Sequence, residues 1–153
     1  MSVQKITKQH LYQHCLHLAE EAVGHAGEAL QLAEESGRDE TKSSAGDKYE
    51  TGREMARQEV DRNTKLLFEA RQRKAVLLSL KGVDASPKVR QGSVVYTDKG
   101  NFYLSISLGQ VTVDGHHFFV VSPVSPIGKI LIGSHVGEVI TFRGERYVIE
   151  SIV

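Results

Sequence analysis

The hydrophobic period changes once along this chain, and that change limits the fold more than any other feature. Up to about residue 80, apolar residues recur at steps of three and four; beyond Pro87 they recur at every second position. The first half reads as helix and the second as strand. A chain of 153 residues holds one domain or two very small ones. The expected class is therefore α+β, with helices first and a small sheet domain after them.

In the first half, Leu11, Cys15, Leu18, Ala22, Ala26, Ala29 and Ala33 form one narrow stripe. Alanine dominates its later part, so two helices can approach closely while each buries little area. Such a seam suits a coiled-coil pair better than a globular core. The stripe stops in the polar segment 37–46. Gly37 is placed to end a helix, and Ser43 and Ser44 are placed to cap the next one. The helical pattern resumes from Asp47 through Met55, Ala56, Val60, Leu67, Ala70 and Leu77. The expectation is an antiparallel coiled-coil hairpin over residues 1–81, with an acidic tip near 37–50 and arms roughly 50 Å long at 1.5 Å per residue. Glu20, Glu21, Glu28, Glu34 and Glu35 make the first arm acidic, and Arg62, Lys65, Arg71, Arg73 and Lys74 make the second basic. That predicts charge pairing between the arms; a sharper reading is a basic stripe that touches RNA.

Residues 82–87 read as a linker, because Gly82 can close a helix and Pro87 forbids its continuation. Residues 88–153 then carry three strand pairs. Their turns centre on Lys99-Gly100, Asp114-Gly115 and Arg143-Gly144-Glu145. Ile127, Ile130 and Leu131 are spaced for one short helix within 125–133.

Charge and composition exclude several functions. Lys plus Arg and Asp plus Glu are each 19, a net charge of zero, which argues against a protein that coats nucleic acid. The single cysteine, Cys15, forbids an intrachain disulfide. No apolar run approaches the roughly 20 residues of a membrane span, and the first residues show no apolar signal core. The expected location is the cytoplasm, with no membrane partner. No phosphate-cradling glycine motif is present. Cys15 sits mid-helix without a paired base, so it is not read as a nucleophile. His10, His14 and His17 share a helical face, but no fourth ligand completes a zinc set. His116 and His117 are adjacent on a strand and point to opposite faces.

The most informative residues are Asp47 and Glu50. Three apart in a helix's first turn, they lie on one face. Two carboxylates so placed can give oxygen ligands to Mg²⁺. Acidic residues there also suit the helix dipole without any further role.

Gly46-Asp47-x-x-Glu50, followed by Glu54-x-Ala56-x-x-Glu59, resembles the tip of the bacterial Gre transcript-cleavage factors, a family of transcription elongation factors. The nonapeptide Ser125-Pro126-Ile127-Gly128-Lys129-Ile130-Leu131-Ile132-Gly133 resembles the Ser-Pro-Ile-x-x-x-Leu-Ile-Gly segment of the same family. Val136-Gly137-Glu138-Val139, Gly144 and Tyr147-Val148-Ile149 are similar to the strands that follow it. The resemblance covers both halves in the family's order. It implies an FKBP-like domain over 88–153 that binds the rim of the RNA polymerase secondary channel, with Ser125, Pro126, Ile127 and Gly128 as partner-binding residues. It implies that the hairpin enters the channel. There Asp47 and Glu50 would help hold a Mg²⁺ shared with the polymerase and position a water, so that the polymerase cleaves backtracked nascent RNA at its 3′ end. On this reading the protein is no enzyme alone, binds no cofactor tightly alone, and is a monomer or weak dimer. The pattern departs at Lys48, Tyr49, Thr51, Glu54 and Val124. Some relatives occupy the channel without stimulating cleavage, which gives a second reading. A third is a coiled-coil module with an unrelated partner. Prolyl isomerase activity would need an aromatic-lined cavity, and the second half's aromatics are needed for its core.

Overall fold

The computed structural model describes residues 2–42 and 46–153, with the side chains of 39–49 outside that description. Two helices come first, α1 (Val3–Lys42) and α2 (Gly46–Ser79). Six strands and one short helix follow: β1 (Val94–Thr97), β2 (Asn101–Leu104), β3 (Gly109–Val113), β4 (His116–Val121), α3 (Pro126–Leu131), β5 (Val139–Phe142) and β6 (Glu145–Ile152). The class is α+β, a long helical region followed by a six-stranded mixed sheet. The contacts divide the chain into two compact units, one formed by residues 1–16 and 76–153 and the other by 17–75. The connection 82–87 lies inside the first unit.

In the second unit α1 and α2 run antiparallel. A Cβ on Gly37 would stand 3.7 Å from that of Ala56, and residues 29–36 share a groove with residues 52–63. The expectation that Gly37 ends a helix is overturned, because α1 continues through it to Lys42. The approach to Ala56 does not require glycine, since a Cβ here would make only ordinary contact. Ala33, Leu67 and Ala70 are buried as the stripe requires, whereas Leu18, Ala22, Ala26 and Ala29 are half-buried and Ala19, outside the expected stripe, is buried. Met55 was expected in the seam but is 65% exposed. The ion pairs His17–Glu21, Arg57–Glu54 and Arg62–Glu59 each lie within one helix. The caps expected at Ser43 and Ser44 fall outside the described residues.

In the first unit the sheet order is β3-β4-β2-β1-β6-β5, and only β2 and β4 run parallel. Two tight hairpins follow from turn chemistry. Asp114-Gly115 (φ 52° and 77°) and Arg143-Gly144 (φ 52° and 80°) both hold positive φ at both central positions, the geometry that matches strand twist. Glu145 already belongs to β6, so that turn has two residues rather than the three expected.

Both faces of the sheet are covered. Val95 pairs with Phe102 across β1 and β2. These two pack with Leu104, Ile149, Ile127 and Leu131, so α3 closes this face. The neighbouring pair, Val94 and Tyr103, points the other way and is equally buried. Leu11, Cys15, Leu77 and Leu80 are buried in the same unit. Tyr103 titrates upward through burial first, and then through the nearby Cys15 and Tyr12. The start of α1 therefore shares the interior with the sheet. Burying a side chain of this size contributes roughly 1.5–3 kcal/mol.

Candidate functional site

The two predicted groups of site residues lie in different units, so each has its own geometry. Asp47 and Glu50 are the second and fifth residues of α2, which begins at Gly46. Helical spacing puts positions 47 and 50 on one face. Glu50 is exposed, as a carboxylate offered to a partner must be, and the Asp47 side chain lies outside the described residues. Among the described residues no group of three His, Cys, Asp or Glu side chains is arranged to hold a metal ion. A carboxylate pair is a fitting donor set for Mg²⁺, but only a partial one, because Mg²⁺ takes six oxygen ligands.

The segment 125–128 is explained atom by atom. Ser125 is the N-cap of α3, with extended backbone (φ −67°, ψ 160°), and its Oγ accepts the Gly128 N–H at 3.1 Å. The same hydroxyl donates to the Ser122 carbonyl at 2.6 Å. Pro126 occupies the first helical position, where its missing N–H costs nothing. Ile127 and Leu131 face the core, at 8% and 0% exposure. Gly128 is buried against the turn before the helix: a Cβ there would overlap the Ser122 carbonyl oxygen and lie 2.9 Å from Ser125 Oγ. Of the four residues, Pro126 alone is exposed. Exposed apolar surface nearby in sequence comes from Val124 at 75%, with Ile130, Ile132, Val136 and Val139.

Three features escaped the sequence reading. His10 and Asp114 meet at 2.8 Å although they are 104 positions apart. The Asp114 carboxyl is held below its ordinary value, chiefly by the His10 hydrogen bond and also by one from Thr7. A histidine on α1 and an acid in a turn carry no local signal of pairing. Secondly, a cleft of about 500 Å³ opens in the first unit, lined by Lys5, Lys8, Tyr12, Leu80, Lys81 and Tyr103 among others. Thirdly, Leu32 and Met55 leave apolar surface exposed along the groove of the second unit. Cys15 is buried, and desolvation pushes its thiol up to about 12, which removes it from nucleophilic chemistry.

No protein-family model, curated protein or solved structure matches this chain. Among the described residues, no helix is long and apolar enough to cross a membrane.

Proposed function

We propose that the protein is a Gre-like transcription elongation factor, which acts in the secondary channel of bacterial RNA polymerase and stimulates cleavage of backtracked RNA. One observation carries the reading. In a single chain, Gly46-Asp47-x-x-Glu50 opens a long helix of an antiparallel pair, and the 125–133 nonapeptide follows in the family's order as the capped helix of a small sheet domain. On this proposal the sheet domain is FKBP-like, and contact with the polymerase rim falls to exposed surface beside the nonapeptide, Val124 and Pro126. Ser125, Ile127 and Gly128 hold that surface in place rather than touch the partner.

On this proposal Asp47 and Glu50, three apart at the start of α2, both serve as carboxylate ligands. The Mg²⁺ they help to hold would supply charge stabilisation to the attacking and leaving oxygens of an in-line displacement. Glu50 is exposed and can accept a hydrogen bond from a water, orienting it. The remaining ligands would come from the polymerase, so the protein acts as an accessory group and not as an enzyme alone.

A second reading, a channel regulator that does not stimulate cleavage, is favoured by one feature. Val124 is strongly exposed where the family carries an acidic or amide residue. The deciding experiment uses a stalled, backtracked complex of the source organism's polymerase with a 3′-end-sensitive RNA readout. Faster appearance of shortened, extendable transcripts, abolished by Asp47→Ala with Glu50→Ala while binding persists, supports cleavage stimulation. Binding without acceleration supports the regulator. Neither binding nor cleavage overturns both.

A further inference from the structure

The cleft of the first unit has the composition of an anion site. Lys5, Lys8 and Tyr12 line it at positions i, i+3 and i+7 of α1, one face of the helix, and Lys81 lines it from beyond α2. α1 begins at Val3 and has no acidic residue in its first turn. Lys5 there faces the positive end of the helix dipole, an unfavourable place unless something negative joins it. Among the described residues no ion pair connects Lys5, Lys8 or Lys81 to a carboxylate. Lys8 instead donates to the Val83 carbonyl at 2.9 Å. Burial lowers its proton affinity first, with Arg90 adding to the effect and Asp84 opposing it. Among the described residues, Asp84 is the one acidic side chain on the lining. The lining is apolar at Leu80, Val83 and Ala85, over the buried Tyr103. The Tyr12 phenol oxygen is buried without a hydrogen-bond partner among the described residues, so the ring of Tyr12, not its hydroxyl, faces the cleft. Lysines without a carboxylate ion pair and an apolar lining thus share a space of ligand size.

We infer that this cleft binds a small amphipathic anion, a soluble molecule with one carboxylate, sulfonate or phosphate head and an apolar body. Lys5 and Lys81 hold the head, and the body lies on the apolar lining at Leu80, Val83 and Ala85. The inference does not depend on the polymerase reading, since no tip residue takes part.

The test titrates the whole protein at low salt with 8-anilinonaphthalene-1-sulfonate, an aryl sulfonate that fluoresces when desolvated. Saturable binding at one site is expected, with the neutral N-phenyl-1-naphthylamine bound at least tenfold more weakly. Lys5→Gln with Lys81→Gln should weaken the sulfonate at least tenfold, while Lys5→Arg with Lys81→Arg retains it. Both lysines are exposed, so tyrosine-monitored unfolding should be unchanged in either variant. Amide and aromatic NMR shifts at Tyr12 and Tyr103 locate the probe. Equal affinity for the neutral probe, undiminished binding by the glutamine variant, or shifts confined to other residues would each overturn the inference.

Discussion

Replacing Gly128 by alanine separates a structural origin of the 125–133 segment from a partner-binding one. In a helix the change alone is favourable, by about 1 kcal/mol. Here the new Cβ would overlap the Ser122 carbonyl oxygen and press on Pro123 Cα at 3.0 Å. That carbonyl accepts from the Ser125 N–H at 3.0 Å and from its Oγ at 2.6 Å. Pushing it aside strains both bonds, each contributing on the order of 1 kcal/mol, and overpacking adds about 1–3 kcal/mol. The net expected loss is about 2–4 kcal/mol, because backbone atoms cannot rotate away as a side chain can. The assay is urea unfolding followed by tyrosine fluorescence. The chain has no Trp, and Tyr12, Tyr96, Tyr103 and Tyr147 all belong to the unit that holds Gly128. The midpoint should fall by roughly 1 M or more, given typical urea slopes for small proteins. A midpoint within about 0.3 M of the parent would refute the reasoning. The glycine would then owe its place to something other than packing.

Gly37→Ala should act in the opposite direction, stabilising the helical unit by about 0.5–1 kcal/mol in thermal unfolding read by circular dichroism; its Cβ would meet Ala56 at an ordinary contact distance, 3.7 Å. A destabilised variant would contradict the placement of Gly37 inside α1. Cys15, with its thiol raised to about 12 by burial, should resist an aromatic disulfide reagent at pH 8 in the folded protein and react promptly in urea; prompt reaction without denaturant would refute its burial. The Asp114 carboxyl is depressed below its usual 3.8 by the His10 hydrogen bond first. Its stabilising contribution is therefore present above that ordinary value and is lost as pH falls through the lower folded value. His10→Ala should move the carboxyl titration seen by NMR back towards 3.8, and an unmoved curve would show that the pair is not formed in solution.

Local chemistry made much of the fold legible. The Asp114-Gly115 turn could be placed because few residues tolerate positive φ twice in succession; the Arg143-Gly144 turn was placed by its glycine and read one residue too long. α3 could be placed within 125–133 because Ile127, Ile130 and Leu131 are spaced as on a helix. The three hairpin pairs were legible from their turns, but not how they join. β4 lies parallel to β2, and β1 lies beside β6, and nothing in the period of those strands names that neighbour. The alternation of β1 is also blurred, since Val94 and Val95 are both buried by cover on opposite faces. The stripe through Leu11 and Cys15 was read as continuous with the alanine seam. Period alone cannot distinguish a helix partner from a sheet, and these two residues belong to the sheet's unit. Of the candidate site, the spacing of Asp47 and Glu50 was visible. The roles of Ser125 and Gly128 as cap and close-packed backbone needed three-dimensional neighbours.

The division of the first unit between residues 1–16 and 76–153 has a consequence for biosynthesis. Ser151 on β6 donates to Gln4 on α1, 147 positions away, and β6 sits between β1 and β5 in the sheet. A ribosome adding about 5–20 residues per second makes these parts roughly 7–30 s apart. The nascent helical unit, by contrast, has all its own residues by position 75. Its folding can precede completion of the sheet, and the first turns of α1 wait, with Leu11 and Cys15 uncovered, for strands not yet translated. Stalling translation before β6 should leave the helical unit protease-resistant and the sheet unit cleavable. That order makes the newborn chain, rather than the finished protein, the form most in need of a chaperone.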